Sequence, residues 1–512
     1  MNLSKTQVFK LQSRYYPMSK IVVGKDIIEL LGSAMYRDPL CIYREYIQNA
    51  VDSIDEAIES GLLKNATQSN IEINVNNVDR RITIRDNGTG ISKRTFKRKM
   101  LSIGASGKRD SSARGFRGIG RLSGLGFCQE LVFRTRSKGQ DVSELKWSIR
   151  EIKKVLADHN NDADLAKLIE ETTEFQSYAS DEYPEHFFEV EMIKPLRLGG
   201  DTLLNSDKVK NYLSQVAPVP FSDDFSLAAP IKKHIRENGF FKEYNIFLNG
   251  SDCPLYKAYT DEIAFSETKK GLFTGEIDLI SLMDSNDKLS AVGWIAHTDY
   301  QGAIPPRSLV GGLRARVGNL QIGERDLFIG AYPEPRFNSW TVGEIHIVDQ
   351  KIIPNGRRDG FEQNKNLSDL QIHLLPHCHE VARKCRKESS IRNIRKRIDI
   401  LFEKIEEDLH ILKQNVLSVD IEKQKRSFIK GSINEVKSLI PTAELSKPFY
   451  KTLMKKLNII DRELKSSSSR KWATNLSLEE QAYFERFCGL IYDCSKNQST
   501  AKDLIDRIIA RL

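Results

Sequence analysis

The sequence lacks any apolar run long enough to cross a lipid bilayer, which takes about 20 consecutive apolar residues. Its first segment, MNLSKTQVFKLQSRYYP, contains no continuous apolar stretch, so we predict no secretory signal. Cysteine is scarce: the chain holds seven in 512 residues, at irregular spacing, which argues against a disulfide framework. These absences predict a cytoplasmic protein without a membrane partner.

Most of the chain also lacks an excess of charge of either sign. Residues 1–380 carry 50 basic and 51 acidic side chains, whereas residues 381–512 carry 28 basic and 18 acidic ones. The formal net charge of +9 therefore comes from the last quarter of the sequence. A basic segment of this kind is compatible with an acidic partner such as nucleic acid, and equally with a solvated helical face.

Length and composition predict a globular protein of several domains. Apolar residues make up 40% and charged residues 29%, which excludes a largely disordered or collagen-like chain. At roughly 150 residues per domain, 512 residues correspond to about three domains. We predict an α+β protein, with a helix-plus-sheet domain over 1–222, an α+β domain over 223–370 and a basic helical region over 371–512.

Periodic apolar residues locate the main elements. In the first domain, Ile42, Tyr46, Ala50, Ile54 and Ala57 recur at helical spacing, with Gly61 as a plausible helix end. The segments IEINVNNV and RRITIRDNG then alternate apolar and polar residues, which predicts two antiparallel strands.

The last region also shows a helical period. Its apolar positions predict an amphipathic helix within 391–430, carried by Ile398, Phe402, Ile405 and Leu409. Two short linkers are expected at 431–441 and 466–469.

The segment HLLPHCHEVARKC is the one candidate for a metal cluster. It holds three histidines and two cysteines, which are His373, His377, His379, Cys378 and Cys385. Four such ligands suit tetrahedral zinc, but the spacing matches no standard ligand pair. We therefore favour ordinary side chains on a helix.

Two polar motifs in the first domain indicate a binding pocket. Glu45, Asn49 and Asp52 fall at i, i+4 and i+7, so a helix would place them on one face. In IRDNGTGIS, a predicted strand ends at Asp86, and Gly88 and Gly90 follow, permitting a tight turn and close approach of backbone to a ligand.

A glycine-rich stretch completes the set. Its glycines are Gly104, Gly107, Gly115, Gly118, Gly120, Gly124 and Gly126. Such a loop, opening into a helix, can surround phosphates with backbone N–H groups. Each motif alone has an ordinary explanation, as a turn, a solvated helix face or a linker. The three motifs in this order are specific.

Together they resemble the GHKL ATPase superfamily of gyrase B, heat-shock-90 chaperones, histidine kinases and MutL-like proteins. The resemblance is closest to the heat-shock-90-like branch, through REYIQNAVDS, and it implies a Bergerat-type α/β sandwich followed by an S5-like middle domain. It also implies ATP and Mg²⁺ as ligands. Glu45 would be the general base for water, Asn49 would coordinate magnesium through its amide oxygen, and Asp52 would line the nucleotide pocket.

The resemblance assigns the other motifs as well. Asp86 would accept a hydrogen bond from the adenine amino group, and Gly88 and Gly90 would line the purine. The lid over the phosphates would contain Gly104, Gly118 and Gly120, with Lys108 and Arg117 close to phosphate. The threonine that usually completes the adenine site has no clear counterpart, because EHFFEVEMI lacks it and Thr202 comes after that strand.

A loop in the second domain supports the same resemblance. The segment IIPNGRRDGFE resembles the middle-domain loop that supplies an arginine to the terminal phosphate, with Arg358 at the matching position and Arg357 beside it. A guanidinium suits that role through its forked donors and permanent charge. Read alone, the segment could equally be a basic surface turn.

The resemblance implies a slow ATPase that closes a lid, forms a homodimer and remodels a protein client or dedicated partner. The alternative is a MutL- or MORC-like nucleic-acid clamp in genome maintenance or defence, with residues 381–470 contacting phosphates. A signalling histidine kinase is disfavoured, since no helix with a phospho-acceptor histidine precedes the pocket.

Overall fold

The protein is described from a computed structural model over residues 25, 38–103, 120–158, 164–239, 241–417, 419–445, 447–466 and 476–511. The chain divides into two compact units. The first comprises Met1–Asp299 and Ala303–His379, and the second comprises Tyr300–Gly302 and Glu380–Leu512.

A seven-stranded sheet organises the first domain. In chain order its strands, numbered β1 to β7, are Ile71–Asn76, Arg81–Asp86, Glu130–Arg136, Val142–Ser148, Thr173–Tyr178, Phe187–Ile193 and Ile246–Leu248. Their order across the sheet is β5-β4-β3-β6-β2-β1-β7. The neighbours are antiparallel, except that β7 joins β1 in parallel. Strand β2 therefore lies inside the sheet, and its last residue, Asp86, is held from both sides.

Helices cover this sheet, and the helix Cys41–Glu59 is the longest of those described. The others are Lys93–Leu101, Ile149–Ala157, Leu165–Thr172 and Ser206–Val216. All five residues of the predicted apolar stripe in the first helix are buried, so that prediction is confirmed. Four of them pack in one core with strand residues such as Ile73 and Ile84. The helix ends before Gly61, whose φ of +75° is the left-handed conformation that favours glycine after a helix.

A six-stranded sheet organises the second domain. Its strands, numbered β8 to β13, are Glu262–Ala264, Lys270–Met283, Leu289–Thr298, Gly312–Val317, Leu320–Ile322 and Val342–Ile347. Their order is β12-β11-β13-β10-β9-β8, with β11 and β13 parallel. The helix Ala228–Asn238 packs Ile231 and Ile235 into a core with Trp294 of β10. The region is thus α+β, as predicted.

A buried ionic cluster lies between this second sheet and the last helix of the first domain. Glu344 is fully buried, and its carboxylate contacts Lys257 Nζ at 2.9 Å and Arg316 Nη2 at 2.6 Å. The same Arg316 guanidinium donates to the backbone oxygen of Gln215, at 2.8 Å. Arg314, also fully buried, donates to the side-chain oxygen of Gln215, at 3.1 Å. These contacts tie the helix Ser206–Val216 to β11 and β13.

The second unit is helical. The 49-residue helix Lys365–Lys413 carries the chain into it, and Val419–Leu439, Lys447–Lys465, Leu478–Cys494 and Gln498–Ile509 follow. The predicted apolar row of Ile398, Phe402, Ile405 and Leu409 is buried in the core of this unit. The three parts follow one another in the predicted order, which confirms the fold class.

The linker predicted at 431–441 is wrong. The helix Val419–Leu439 runs through Gly431, and the short 3₁₀ turn Ile440–Ala443 follows. A single glycine inside a helix costs only about 1 kcal/mol, and the neighbouring Ile429, Ile433 and Val436 are buried in the core, which holds the helix together. Of the second predicted linker, Ser466 follows a helix end, and 467–469 lie outside the described residues.

Every helix in the described ranges is too short or too polar to span a lipid bilayer.

Candidate active site

The helix Cys41–Glu59 has one face that is polar and yet buried. Glu45 is 6% exposed, Gln48 is 2% exposed and Asp52 is 3% exposed, while Asn49 is half-buried. Acidic side chains are almost never this buried unless they are paired or serve a function. The structure therefore gathers the three predicted residues of this helix on one enclosed face.

Glu45 and Arg358 meet in the structure. Arg358 Nε lies 3.4 Å from Glu45 Oε1, and both side chains are largely buried. These two residues are 313 positions apart and were assigned to the site through separate motifs. The loop of the second domain therefore reaches the helix that carries the predicted base.

Arg358 holds an unusual backbone conformation in that loop. Its φ is +58°, in the left-handed region that non-glycine residues rarely adopt. A β-bridge between Pro354 and Phe361 closes the loop, and the backbone N–H of Arg358 donates to the oxygen of Asn355 at 3.1 Å. Such conformations persist where the surroundings impose them, and here the loop directs one guanidinium at Glu45.

Arg44 is a site residue that the sequence reasoning missed. Its guanidinium is buried beside Glu45, with Nη2 at 3.4 Å from Oε1, and it donates to the backbone oxygen of Arg357 at 3.1 Å. A weaker contact reaches the oxygen of Arg358, at 3.5 Å. Arg44 thus binds the backbone of the loop whose side chain contacts Glu45. Its place next to Glu45 in the sequence was the available signal.

The other carboxylate oxygen of Glu45 faces the glycine stretch. A Cβ built on Gly120 would lie 2.6 Å from Glu45 Oε2, so only a glycine fits there without displacing the carboxylate. Gly120 begins a 3₁₀ segment, Gly120–Gly126, that is held to the helix by Tyr46, whose hydroxyl accepts from the N–H of Gly124 at 2.9 Å. The predicted lid residue Gly120 therefore contacts the predicted base.

The remaining lid predictions cannot be placed. Gly104, Lys108, Arg117 and Gly118 lie outside the described residues.

Asp86 is enclosed at the end of β2. It is 3% exposed, and its Oδ1 accepts from the N–H of Gly88 at 2.8 Å. Burial raises the pKa of Asp86 to about 7, against the lowering effect of hydrogen bonds from Gly88 and from the Ser53 side chain. Ser53 lies one turn after Asn49 on the helix, a position that could have predicted its role. A carboxyl group with this pKa can both accept and donate a hydrogen bond near neutral pH.

The two glycines after Asp86 are sterically required. A Cβ on Gly88 would lie 2.0 Å from Ser53 Oγ, and a Cβ on Gly90 would lie 1.9 Å from the backbone oxygen of Arg136. Gly90 also has a φ of +65°. The turn is therefore pressed against the helix on one side and against β3 on the other.

Thr202 lies in a short 3₁₀ turn, where its hydroxyl donates to the oxygen of Gly199 at 2.9 Å. The residue that pairs with Asp86 across the β2–β6 register is Phe188, which has no hydroxyl. A buried hydroxyl beside this turn belongs to Thr135 of β3, which accepts from the N–H of Ile91 at 2.9 Å. The long sequence separation between Thr135 and Ile91 gave no signal of this contact.

The histidine and cysteine segment lies in the helix Lys365–Lys413, as favoured. Cys378 and Cys385 are buried, and His373 bonds the backbone oxygen of Asp369 on its own helix. Over the described part of the chain, no group of three or more His, Cys, Asp or Glu side chains is placed to hold a metal ion. The predicted magnesium ligand, Asn49, offers one amide oxygen. Mg²⁺ prefers hard oxygen ligands, so this oxygen suits an ion that also binds phosphates.

The carboxylate of Glu45, the guanidiniums of Arg44 and Arg358 and the backbone of Gly120 thus meet at one end of the polar helix face. Asp86, whose pKa is raised, lies at the other end. A carboxylate can activate water, guanidiniums bind transferring phosphoryl groups, and a buried carboxyl can select a ligand by hydrogen bonding.

Comparisons with known proteins agree with this geometry. Residues 44–181 match the family described as Histidine kinase-, DNA gyrase B-, and HSP90-like ATPase. The chain is 28% identical over 141 residues to Chaperone protein HtpG of Coxiella burnetii, and 30% identical over 141 residues to that of Paraburkholderia xenovorans. It is 26% identical over 139 residues to the HtpG of Polaromonas naphthalenivorans. Each match covers 24% of this chain and only 22% of the relative.

Proposed function

Since residues 44–181 form a GHKL-type ATPase domain close to the heat-shock-90-like ones, we propose that this protein binds ATP and hydrolyses it slowly to ADP and phosphate. The ion pair between Glu45 and Arg358 is the observation that carries this proposal. It brings together the residues that we propose as base and as phosphate-binding cation, from two parts of the sequence.

Asp86 selects the adenine ring in this proposal. Its carboxylate accepts a hydrogen bond from the adenine amino group, and the backbone of Gly88 and Gly90 lies against the purine because neither position has room for a side chain. Asp52 lines the pocket from the helix. Burial of Asp86 excludes competing water, so a purine that lacks the amino group binds less well.

Glu45 accepts the proton of the attacking water and orients it towards the terminal phosphate. Arg358 pairs with Glu45 in the structure, and a terminal phosphate offers the guanidinium a second acceptor of the same sign. Arg44 keeps the loop in reach by binding its backbone oxygens. Hydrolysis is slow because a lid and this loop must both be in place for each turnover.

Asn49 would hold Mg²⁺ through its amide oxygen, and the metal would supply positive charge to the phosphates. Gly120 packs against Glu45, and with Gly104, Gly118 and Lys108 it belongs to the segment that covers the phosphates.

The protein works as a cytoplasmic homodimer that remodels a protein client or a dedicated partner. The relatives named Chaperone protein HtpG support this proposal, although they match the chain over the ATPase domain alone. Gln215, in the helix Ser206–Val216, connects the first domain directly to the second sheet.

The test is ATP hydrolysis by the wild type and by Glu45→Ala. Loss of the base lowers kcat by about 100-fold or more, while ATP binding, followed by calorimetry, changes little. Glu59, an exposed residue at the end of the same helix, provides the matched control as Glu59→Ala, which retains the wild-type rate. Full hydrolysis by Glu45→Ala would contradict the mechanism.

A further inference from the structure

Two successive helices of the second unit, Val419–Leu439 and Lys447–Lys465, together carry 11 basic and five acidic residues, a net charge of +6. They are joined by a short 3₁₀ turn and share one core, to which Ile429 and Leu457 both contribute. Arg426 of the first helix donates to the backbone oxygen of Leu464 near the end of the second. The helices therefore run antiparallel, side by side.

The first helix carries a straight row of lysines. Lys423, Lys430 and Lys437 recur every seven residues, and all three are exposed. Seven residues are close to two helical turns, so the three ammonium groups share one side of the helix. At 1.5 Å per residue the row is about 21 Å long.

The second helix carries a matching group. Six basic residues of this helix are exposed. Lys456 pairs with Glu406 at 3.9 Å, and the other five are Lys447, Lys451, Lys455, Arg462 and Lys465. With 3.6 residues per turn these five positions fall within an arc of about 80°, along about 27 Å of helix. They are thus collected on one flank instead of being spread around the surface.

The two groups lie on these neighbouring helices. Asp461 lies between them, with its Oδ2 at 2.7 Å from Lys465 Nζ. The hydrogen bond from Lys465 lowers the pKa of Asp461, and the charges of Lys437 and Lys430 on the other helix lower it further. Members of both groups, Lys430 and Lys437 on the first helix and Lys465 on the second, therefore act on the same carboxylate. We call the surface formed by these eight cations and Asp461 the basic face.

The composition of the basic face distinguishes between kinds of partner. Protein interfaces are depleted of charged residues at their centre, whereas here cations follow one another along both helices. The neutral residues among them, such as Ser427, Asn434 and Asn458, have side chains that can donate to phosphate oxygens. An evenly charged polyanion longer than about 20 Å fits this pattern, and duplex nucleic acid presents one phosphate per 3.4 Å along each strand.

We propose that the basic face binds the phosphate backbone of duplex nucleic acid, without reading its base sequence. This goes beyond the ATPase function proposed above and does not depend on it, since the basic face lies in the second unit. Residues 381–397 carry a second basic excess, of eight basic residues and one acidic, and the basic face differs from it in aligning its cations along two adjacent helices.

The test measures binding of the full chain to a 30-base-pair duplex DNA of arbitrary sequence, by fluorescence anisotropy over a range of salt. Lys423→Glu/Lys430→Glu/Lys437→Glu weakens binding roughly tenfold or more at 0.1 M salt, and the slope of log K against log salt falls by about 1 for each lysine that contacts phosphate. The matched control is Lys396→Glu/Lys404→Glu/Lys496→Glu. It makes the same change in net charge at exposed lysines outside the basic face, and it binds nearly as the wild type does.

Circular dichroism and ATP hydrolysis establish that both triple variants remain folded. An equal loss of DNA affinity in the two triple variants would overturn the proposal, because it would indicate a general effect of net charge. Failure of the wild type to bind the duplex at 0.05 M salt would also overturn it. Equally tight binding of poly-glutamate at matched charge would replace nucleic acid with an acidic protein segment as the partner.

Discussion

Arg358 contacts Glu45 through a 3.4 Å ion pair, although the two residues belong to different domains and are separated by most of the first compact unit. The same oxygen of Glu45 also receives Arg44, at 3.4 Å. One carboxylate thus holds two guanidiniums in a buried place, where the excess positive charge favours an additional anion such as phosphate.

Arg358→Ala tests this arrangement, with Arg357→Ala as its control. Arg358 is largely buried and points at Glu45, whereas the neighbouring Arg357 is exposed and pairs with Asp359 at 3.3 Å. We expect Arg358→Ala to lower kcat for ATP about 100-fold, because it removes the cation that we propose stabilises the transferring phosphoryl group. Arg357→Ala should stay within about threefold, as expected for an exposed ion pair. Steady-state phosphate release measures both, and equal effects of the two substitutions would contradict the assignment.

The burial of Asp86 predicts a pH dependence of adenine binding. The folded pKa is raised from 3.8 to about 7, so the carboxyl is largely protonated below pH 7 in the empty site. If the ionised form is the one that accepts from the adenine amino group, affinity falls roughly tenfold from pH 8 to pH 6, in proportion to the ionised fraction. Adenosine is the appropriate ligand, since it has no phosphate that titrates in this range.

Asp86→Asn provides the control for that titration, because an amide has no proton to exchange between pH 6 and 8. Its residual adenosine binding should be independent of pH. The same pKa predicts the effect on stability. A carboxyl with a raised folded pKa contributes stability that is present below 3.8 and is lost as the pH rises through about 7. The midpoint of thermal unfolding of the wild type, relative to that of Asp86→Asn, should therefore fall as the pH rises towards about 7. A difference between the two midpoints that does not change with pH would refute this prediction.

The turn after Asp86 predicts a steric effect at Gly88. A methyl group there would collide with Ser53, whose Oγ is 2.0 Å and whose backbone carbon is 2.7 Å from the new Cβ. Gly88→Ala should therefore push the turn away from the helix, weakening nucleotide binding at least tenfold and destabilising the domain by about 1–3 kcal/mol. Gly330→Ala is the matched control, because a Cβ there meets nothing within 4 Å. Wild-type ATP affinity in Gly88→Ala would show that the turn is not part of the site.

The sequence predicted the local elements of this site well and its long-range contacts poorly. The helix stripe from Ile42 to Ala57 and the strand ending at Asp86 follow from apolar periodicity, which is a local property. The pairing of Arg358 with Glu45 was accessible through resemblance alone, since no local rule links residues so far apart. Arg44 was missed because its partners are backbone oxygens of a distant loop. Every residue has a backbone oxygen, so no residue type in that loop indicates the contact.

Errors in the second unit have a similar cause. Gly431 and Pro441 indicate a break by their intrinsic preferences, yet the helix continues to Leu439 because buried contacts outweigh the cost of one glycine. The proline does coincide with the end of the helix, where the 3₁₀ turn begins. The conformational preference of Pro441 thus predicted the end of the helix correctly. The helix continues through Gly431 because its buried side chains pack in the core.

The buried cluster around Glu344 should be a major determinant of stability in the second domain. Glu344 balances Lys257 and Arg316, and it also accepts from Tyr259 at 3.1 Å. Glu344→Gln keeps the shape and removes the charge, leaving the buried guanidinium of Arg316 without its carboxylate partner. Breaking a buried pair in this way costs about 3–5 kcal/mol.

We expect the midpoint of thermal unfolding of Glu344→Gln to fall by about 10 °C. Its control is Glu262→Gln, which removes an exposed pair with Lys270 and should shift the midpoint by about 1 °C or less. Because Arg316 also binds the backbone oxygen of Gln215, the loss should loosen the first domain as well, and ATP should protect Glu344→Gln less than the wild type. If ATP protects both equally, the cluster stabilises the second sheet without connecting it to the nucleotide site.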